Sequence, residues 1–252
     1  MRAGKRQANA DLKIEGGRVQ VSGALGVMEI NGILCEMIFE QNKFKHDFYV
    51  EESYVIRWMY PYMEPHGLIM KINREKMAMT DDMTHNDLDF WDWYTRRLIT
   101  DEKFRRDVVA RKSFSKLRSA LGGLYSFRSQ LREAEKAFQE ARILYPLSPE
   151  ANFRMVQEVY LREGRLDHAE RLMKDFGEQD PANTKIFEFL GQLRNFRQMD
   201  QRMRELEALV PEGKLEISQA LELSEIYLQA GHLQRFQEMA DGILGNTNLP
   251  AP

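Results

Sequence analysis

Apolar residues in the second half of the chain recur at helical spacing, and the same arrangement returns after 35 residues, from Tyr125 to Tyr160. The other paired positions are Ala134 with Ala169, Phe138 with Met173, and Pro146 with Pro181. The alanines predict places where two helices approach closely, and the prolines predict where the second helix of each pair ends. The pattern therefore predicts two copies of an antiparallel helix pair, over residues 115–148 and 150–183.

Two weaker copies follow. The segment 184–211 has Arg194 where the tyrosine belongs, and it predicts a shortened helix pair. Its matching positions are Phe187, Leu190, Leu206 and Pro211. The segment 217–246 predicts a last pair, with matching residues at Leu223, Tyr227, Gly231, Ala240 and Ile243. Because about three stacked pairs bury a continuous core, the copies together predict an α-solenoid.

This arrangement resembles the tetratricopeptide repeat, in which small and large residues alternate so that two antiparallel helices pack closely. The resemblance also rests on Leu121-Gly122 in the first copy and on Gly164 in the second. It implies a scaffold that binds a protein or peptide partner and carries no catalytic residue of its own. An unrelated helical bundle is the alternative interpretation of the same residues.

Residues 1–80 follow a different pattern. Apolar runs predict a strand or hairpin at 14–22 and strands at 48–50 and 68–72, while helical spacing predicts helices at 26–41 and 54–62. These elements are too few for a complete core, so 1–80 is predicted to be a partial α/β domain. A helical region follows at 81–252, with leading helices at 81–114 before the repeats. The predicted fold class is α+β overall and mainly α: a small partial α/β layer followed by an α-solenoid of tetratricopeptide-like helix pairs.

The first helix of each pair lines the concave face in repeats of this type, which the resemblance carries to this chain. The residues predicted to face a partner are Lys116, Ser119, Phe127, Arg154, Glu158 and Arg162. The last three are spaced i, i+4 and i+8, so they share one helix face. We expect their guanidinium groups to bind an acidic or C-terminal peptide segment. The alternative is an ordinary ladder of surface ion pairs.

Polar residues after the second predicted strand suggest a possible ligand site, because ligands bind at strand ends in α/β sheets. These candidates are Glu51, Glu52 and Ser53, together with His66 in the turn before the next strand. Carboxylates and an imidazole could serve acid–base or metal chemistry. The alternatives are a helix cap at Ser53 with solvated glutamates, and a loop histidine with a local hydrogen bond. No cofactor, metal or catalytic motif is found in the sequence.

Composition narrows the class of partner. The net charge of −3 argues against a nucleic-acid binder. No apolar leader follows Met1, and charged residues interrupt the most apolar stretch, at 26–39, so the sequence predicts a cytoplasmic chain without membrane insertion. A dense group of aromatic residues between 54 and 94 suits either sugar stacking or packing between the two parts of the chain.

Several short runs give a second resemblance, which covers roughly residues 17–145. They are Gly17–Gly23, Phe48–Ser53, Trp58–Pro61, Pro65–Arg74 and Phe114–Ser119. They resemble the soluble C-terminal region of an uncharacterised bacterial family of multi-spanning membrane proteins, whose transmembrane part is similar to protein O-mannosyltransferases. This implies an alternative function: an extracytoplasmic accessory region of a glycosyltransferase-like protein that contacts glycan or acceptor protein. Transferase chemistry would lie in the transmembrane part, so no catalytic residue is carried over.

Overall fold

Helices dominate the fold of this chain, and the strands are short and lie near its start. A computed structural model describes residues 12–15, 18–21, 23–51, 56–210, 214–230 and 232–244. The chain divides into two compact units, Met1–Gly164 and Arg165–Pro252. The predicted class, mainly α with a small β component, is confirmed.

The strands form two antiparallel sheets. Strands β1 (Leu12–Glu15) and β2 (Arg18–Val21) pair as a hairpin before helix α1 (Gly23–Asn42). Strands β3 (Phe48–Val50), β4 (Met63–His66) and β5 (Ile69–Ile72) form a sheet in the order β3-β5-β4. Gly67, with φ +65°, supplies the left-handed turn between β4 and β5. This sheet is antiparallel throughout, and it is not the parallel layer typical of α/β folds.

The helix predicted at 54–62 is wrong for its described part. Residues 57–59 form a turn, and Tyr60–Tyr62 form one turn of 3₁₀-helix that leads directly into β4. Two prolines explain this. Pro61 sits at the start of the 3₁₀ turn, where no backbone donor is needed, and Pro65 lies in the edge strand β4.

Helices account for the rest of the first unit, from residue 81 onwards. They are α2 (Asp81–Thr100), α3 (Glu102–Arg106), α4 (Val108–Phe127), α5 (Leu131–Leu144) and α6 (Pro149–Met155), the last continuing as a π-helical turn over Val156–Tyr160. Side-chain oxygens of Thr80, Asp101, Asp107 and Ser148 accept backbone N–H bonds at the starts of α2, α3, α4 and α6.

The core of the first unit takes residues from both sides of the predicted boundary at residue 80. Its buried members include Phe39, Met63, Met70, Trp91, Leu121, Leu124 and Leu144. The small sheet therefore packs in one hydrophobic cluster with the helices that follow it. The compact unit that contains the sheet ends at Gly164, so its end does not coincide with the predicted division at residue 80.

The described residues of the second unit form four helices: α7 (Leu166–Gln179), α8 (Thr184–Leu209), α9 (Ile217–Gln229) and α10 (Leu233–Leu244). The shortened helix pair predicted at 184–211 is wrong, because α8 is one helix of 26 residues. Its run from Gln192 to Leu209 contains neither glycine nor proline and is rich in good helix formers, so nothing in it ends the helix. The predicted pair at 217–246 matches α9 and α10.

Most of the recurring positions of the first two copies are buried. Tyr125, Ala134, Phe138, Ala141, Val156, Ala169, Met173 and Phe176 are all at most 1% exposed. Phe153 is only half-buried. The pattern therefore identified interior positions correctly across residues 121–176.

Two helical glycines should respond in opposite ways to alanine. A Cβ at Gly122 would lie 2.7 Å from the fully buried ring of Phe138, whereas a Cβ at Gly32 would make ordinary contact with Ile56 at 3.7 Å. Gly122→Ala should lower the free energy of unfolding by about 1 kcal/mol, because overpacking outweighs the gain in helix propensity. Gly32→Ala should raise it by about 0.5–1 kcal/mol. Urea unfolding measures both; a stabilised Gly122→Ala would contradict the close packing of Phe138 on α4.

Candidate functional site

A cleft in the first unit gathers several of the predicted partner-facing residues. It has a volume of about 300 Å³ and lies where α4, the end of α6 and the 3₁₀ turn meet. Its lining residues are Arg57, Tyr60, Gly123, Ser126, Phe127, Arg154 and Glu158. We refer to it as the Arg154 cleft.

Arg154 crosses from α6 to α4 because Gly123 has no side chain. A Cβ at position 123 would lie 1.7 Å from Arg154 Nη2, so the guanidinium occupies the space that any other residue would fill. Arg154 Nη1 donates to the Ser119 carbonyl oxygen (3.3 Å), and Nε donates to Glu158 Oε1 (2.7 Å). Its Cζ lies 5.7 Å from the ring centre of Phe138. Gly123 thus leaves room for the guanidinium, and the bonds to Ser119 and Glu158 hold it there.

Arg162 makes a second link to the C-terminal end of α4. Its Nη1 donates to the carbonyl oxygen of Ser126 (2.7 Å) and to the hydroxyl of the same residue (3.0 Å). The π-helical turn lies between the two arginines, and within it Leu161 N donates to Val156 O (2.9 Å). Single π turns often occur at functional sites. Arg154 therefore links α6 to α4, and Arg162 links the turn after the π-helical segment to the end of α4.

Aromatic rings form the other wall of the Arg154 cleft. Phe127 is 49% exposed and stacks on Tyr60, with ring centres 4.8 Å apart and ring planes inclined by 15°. Arg128 Nη2 donates to the carbonyl oxygens of Tyr60 (2.9 Å) and Pro61 (3.1 Å), and burial lowers the pKa of this guanidinium. Arg57 is exposed at the rim. The cleft therefore combines cations with a flat apolar surface.

The six predicted partner-facing residues lie in different environments, and four of them are in or next to the cleft. Phe127, Arg154 and Glu158 line the cleft, and Arg162 contacts Ser126, which also lines it. Ser119 is not available to a partner: it is 1% exposed, and its hydroxyl donates to the Ser115 carbonyl oxygen. Lys116 is half-buried and is not among the residues that line the cleft.

The exposure that the sequence predicted for Arg154, Glu158 and Arg162 needs correction. The side chain of Arg154 is only 15% exposed and that of Glu158 is 28% exposed. Of the three residues, only Arg162 is classed as exposed. Helical spacing alone cannot reveal this difference, because the burial of Arg154 depends on the glycine in the neighbouring helix.

A second cleft lies between the β4–β5 turn and the first half of α2. It has a volume of about 370 Å³, and its lining residues are Glu64, Pro65, His66, Gly67, Met83, Asn86, Asp87 and Phe90. We refer to it as the Asp87 cleft. Its most buried polar residue is Asp87, which is 5% exposed.

Asp87 belongs to a buried network of charged groups. Arg118, which is 0% exposed, donates through Nη1 to Asp87 Oδ2 (2.9 Å) and through Nε to Glu140 Oε2 (2.6 Å). The Tyr125 hydroxyl donates to the same Asp87 oxygen at 2.6 Å. Two carboxylates therefore share one guanidinium, while Asp87 Oδ1 and Arg118 Nη2 have no hydrogen-bond partner among the residues that the structure describes.

The protein interior shifts the pKa values in this network. Burial raises the pKa of the Glu140 carboxyl, and Arg118 opposes that rise. The pKa of the Tyr125 hydroxyl is also raised, mainly by burial and then by the charge of Asp87. The Arg118 guanidinium lies 5.1 Å from the ring centre of Trp91, whose Nε1 donates to the Gly67 carbonyl oxygen (3.2 Å). The network therefore connects the interior of the helices to the wall of the cleft.

The strand-end candidates do not form one group within the described residues. Glu51 is exposed after β3, while Glu52 and Ser53 lie outside the described residues. His66 ends β4, and its ring centre lies 5.1 Å from that of Tyr49, at the edge of the Asp87 cleft. No group of three potential metal ligands occurs among the residues that the structure describes. Sequence reasoning missed Asp87, Arg118 and Glu140. For Glu140 the available signal was a carboxylate among the otherwise apolar buried positions of α5.

Comparisons with known proteins give no relative. No protein-family model matches this sequence, and neither the curated proteins nor the solved structures provide a match. Of the helices that the structure describes, none has an apolar stretch long enough to cross a bilayer. The arguments about function therefore rest on the two clefts themselves.

Proposed function

We propose that this chain is a non-enzymatic binding module that holds a peptide segment of a protein partner in the Arg154 cleft. The observation that carries the proposal is the convergence of Arg154, Glu158 and the exposed ring of Phe127 on one cleft. Phe127 lies on α4, whereas Arg154 lies 27 residues later on α6 and Glu158 lies 31 residues later in the π-helical turn that continues it. A cleft that combines oriented charges with an apolar wall is typical of a recognition site.

The charges of the cleft favour a carboxylate ligand. Arg57 and Arg154 contribute two cations to the lining, and Glu158 contributes one anion. Arg162 adds a third cation next to Ser126. Guanidinium groups bind carboxylates through strong, directional hydrogen bonds, which suits an acidic side chain or the C-terminal carboxylate of a peptide.

The aromatic wall favours an apolar side chain next to that carboxylate. Phe127 exposes half of its surface, and its stacking on Tyr60 holds the ring in one orientation. A held aromatic ring offers a large contact area at a small cost in conformational entropy. The proposed ligand is therefore a peptide that ends in, or contains, an acidic group beside an apolar residue.

The proposed architecture is a tetratricopeptide-like α-solenoid. The burial of Ala134 and Ala169 supports it, as does the buried position of Tyr125 and Tyr160 in equivalent places of the two copies. Solenoids of this kind bind extended segments along the first helix of each pair. Both α4 and α6 hold that place in the predicted copies, and both contribute residues to the cleft.

A display library of peptides with free carboxyl termini tests the proposed function. We expect the chain to select sequences with a terminal or acidic carboxylate beside an apolar residue. Arg154→Ala and Arg57→Ala should each raise the dissociation constant of a selected synthetic peptide about tenfold or more, because each removes a charge-assisted contact. Fluorescence polarisation measures this constant. Amidation of a peptide selected for its terminal carboxylate should weaken binding similarly.

Two controls make the result specific. Arg132→Ala removes an exposed arginine of α5 outside the cleft, so it should leave affinity unchanged. Arg57→Ala should leave the melting temperature almost unchanged, whereas Arg154→Ala should cost about 1–2 kcal/mol because its bonds to Ser119 and Glu158 are lost. Equal affinity for the original protein and both cleft variants would overturn the proposal.

A further inference from the structure

The Asp87 cleft differs from the Arg154 cleft in the sign of its charge. The eight described residues that line it include the carboxylates of Glu64 and Asp87 and no lysine or arginine. Glu64 forms a long ion pair with Lys71, whose Nζ lies 3.9 Å from Oε1, and the Glu64 side chain is 17% exposed. The lining therefore favours a positively charged ligand.

Asp87 supplies a buried acceptor that lacks a donor. Its Oδ2 accepts from both Arg118 and Tyr125, while Oδ1 has no hydrogen-bond partner among the described residues. A buried polar atom without a partner is costly, and the cost is greater for an ionised group. Since Glu140 also draws on Arg118, the charge of Asp87 is incompletely balanced from inside the protein.

The remaining walls suit the methylene groups of an alkyl chain. Pro65, Met83 and Phe90 provide apolar surface, and Met83 and Phe90 are half-buried on α2. An aromatic ring also attracts a nearby cation through its face. The cleft thus offers carboxylates for an ammonium group and an apolar surface for the carbons that bear it.

We propose that the Asp87 cleft binds a primary ammonium group on an aliphatic chain. The ammonium donates to Asp87 and lies within the field of Glu64, while the chain packs against Met83 and Phe90. This chemistry has two sources: a free alkylamine, or the lysine side chain of a partner protein. The site is separate from the Arg154 cleft and takes a ligand of the opposite charge.

The test follows the methionine methyl groups by NMR in the full-length protein labelled with ¹³C-methyl methionine. The Met83 signal is assigned by its disappearance in Met83→Leu. Pentylamine should shift this signal in a saturable manner, and pentanol, which has the same chain without the charge, should not. A lysine derivative with its backbone groups blocked by acetyl and methylamide represents the side-chain source, and tighter binding of one amine than of the other identifies the source.

Variants connect the binding to the carboxylates. Asp87→Asn should weaken the binding of pentylamine about tenfold, because a charge-assisted hydrogen bond is lost. Glu64→Gln should weaken the binding several-fold, because a nearby charge is lost. Asp89→Asn removes an equivalent charge from the exposed face of α2, so it should leave the affinity unchanged. If Asp87→Asn fails to fold, Glu64→Gln and the pentanol comparison still decide the outcome. An equal shift with pentanol, no saturable shift with either amine, or unchanged binding by Glu64→Gln would overturn the proposal.

Discussion

Replacing Arg118 with methionine should lower the free energy of unfolding by about 3–5 kcal/mol, the usual cost of leaving buried charges without their partner. Arg118 is fully buried and is the one guanidinium that reaches both Asp87 and Glu140 within the described network. Methionine fills much of the same space, so the loss reflects the two carboxylates and not a large cavity. The measurement is urea unfolding followed by circular dichroism at neutral pH.

The matched control is Arg96→Met on α2. The pair of Arg96 with Asp92 lies at the surface, with the arginine side chain 75% exposed, so its loss should change stability by less than about 1 kcal/mol. If both variants lose the same amount, the buried network does not stabilise the first unit.

The loss of stability caused by Arg118→Met, measured as a difference in the free energy of unfolding, should also depend on pH. Arg118 lowers the pKa of Glu140 against the effect of burial, so its removal raises the folded-state pKa further above the unfolded value. The folded variant then binds more protons than the unfolded chain, and its stability falls as pH rises through this range. The difference from the original protein should therefore be smaller near about pH 5 than near about pH 8. A deficit independent of pH would contradict ionised carboxylates in the network.

Ala134→Leu should lower the free energy of unfolding by about 1–3 kcal/mol. Ala134 is 0% exposed on α5, and the neighbouring small residues Ala137 and Ala141 are equally buried. A stripe of alanines on one helix face permits close approach of another helix, so a longer side chain forces the two apart or takes a strained rotamer. Thermal and urea unfolding would measure the loss.

Gln139→Leu provides the control on the same helix. Gln139 is exposed, so the same large apolar side chain should change stability by no more than about 0.5 kcal/mol. An unchanged melting temperature in Ala134→Leu would mean that the phase assigned to the first repeat copy is wrong.

The sequence predicted which residues are buried better than it predicted where helices end. Ala134, Phe138 and Met173 are buried as the 35-residue period requires, because burial on a regular helix follows directly from spacing. The strands at 48–50 and 68–72 were also recognisable as short apolar runs between polar or turn residues, and Gly67 directly precedes the second. The predicted pair at 184–211 was wrong because the spacing of apolar residues cannot distinguish one long helix from two short ones.

The sites depended on information that a linear pattern does not contain. Asp87 and Arg118 are 31 residues apart, and they meet because α2 and α4 contribute to the same hydrophobic core. The burial of Arg154 depends on Gly123 in another helix, and the helix of Arg154 continues into a π turn that interrupts regular spacing. The sequence therefore located Phe127, Arg154 and Glu158 as candidates but described the exposure of Arg154 and Glu158 incorrectly.

The space left by Gly123 limits the order in which mutations at positions 123 and 154 can accumulate during evolution. Any side chain at position 123 collides with the guanidinium of Arg154, so a mutation there disturbs the cleft while the arginine remains. If Arg154 is lost first, a side chain at position 123 no longer overlaps the guanidinium. Later mutations of Gly123 are then not restricted by it. Inheritance of the two residues is thus linked in one direction: a descendant that keeps Arg154 in its present orientation must keep Gly123, whereas a descendant that keeps Gly123 is free to lose Arg154.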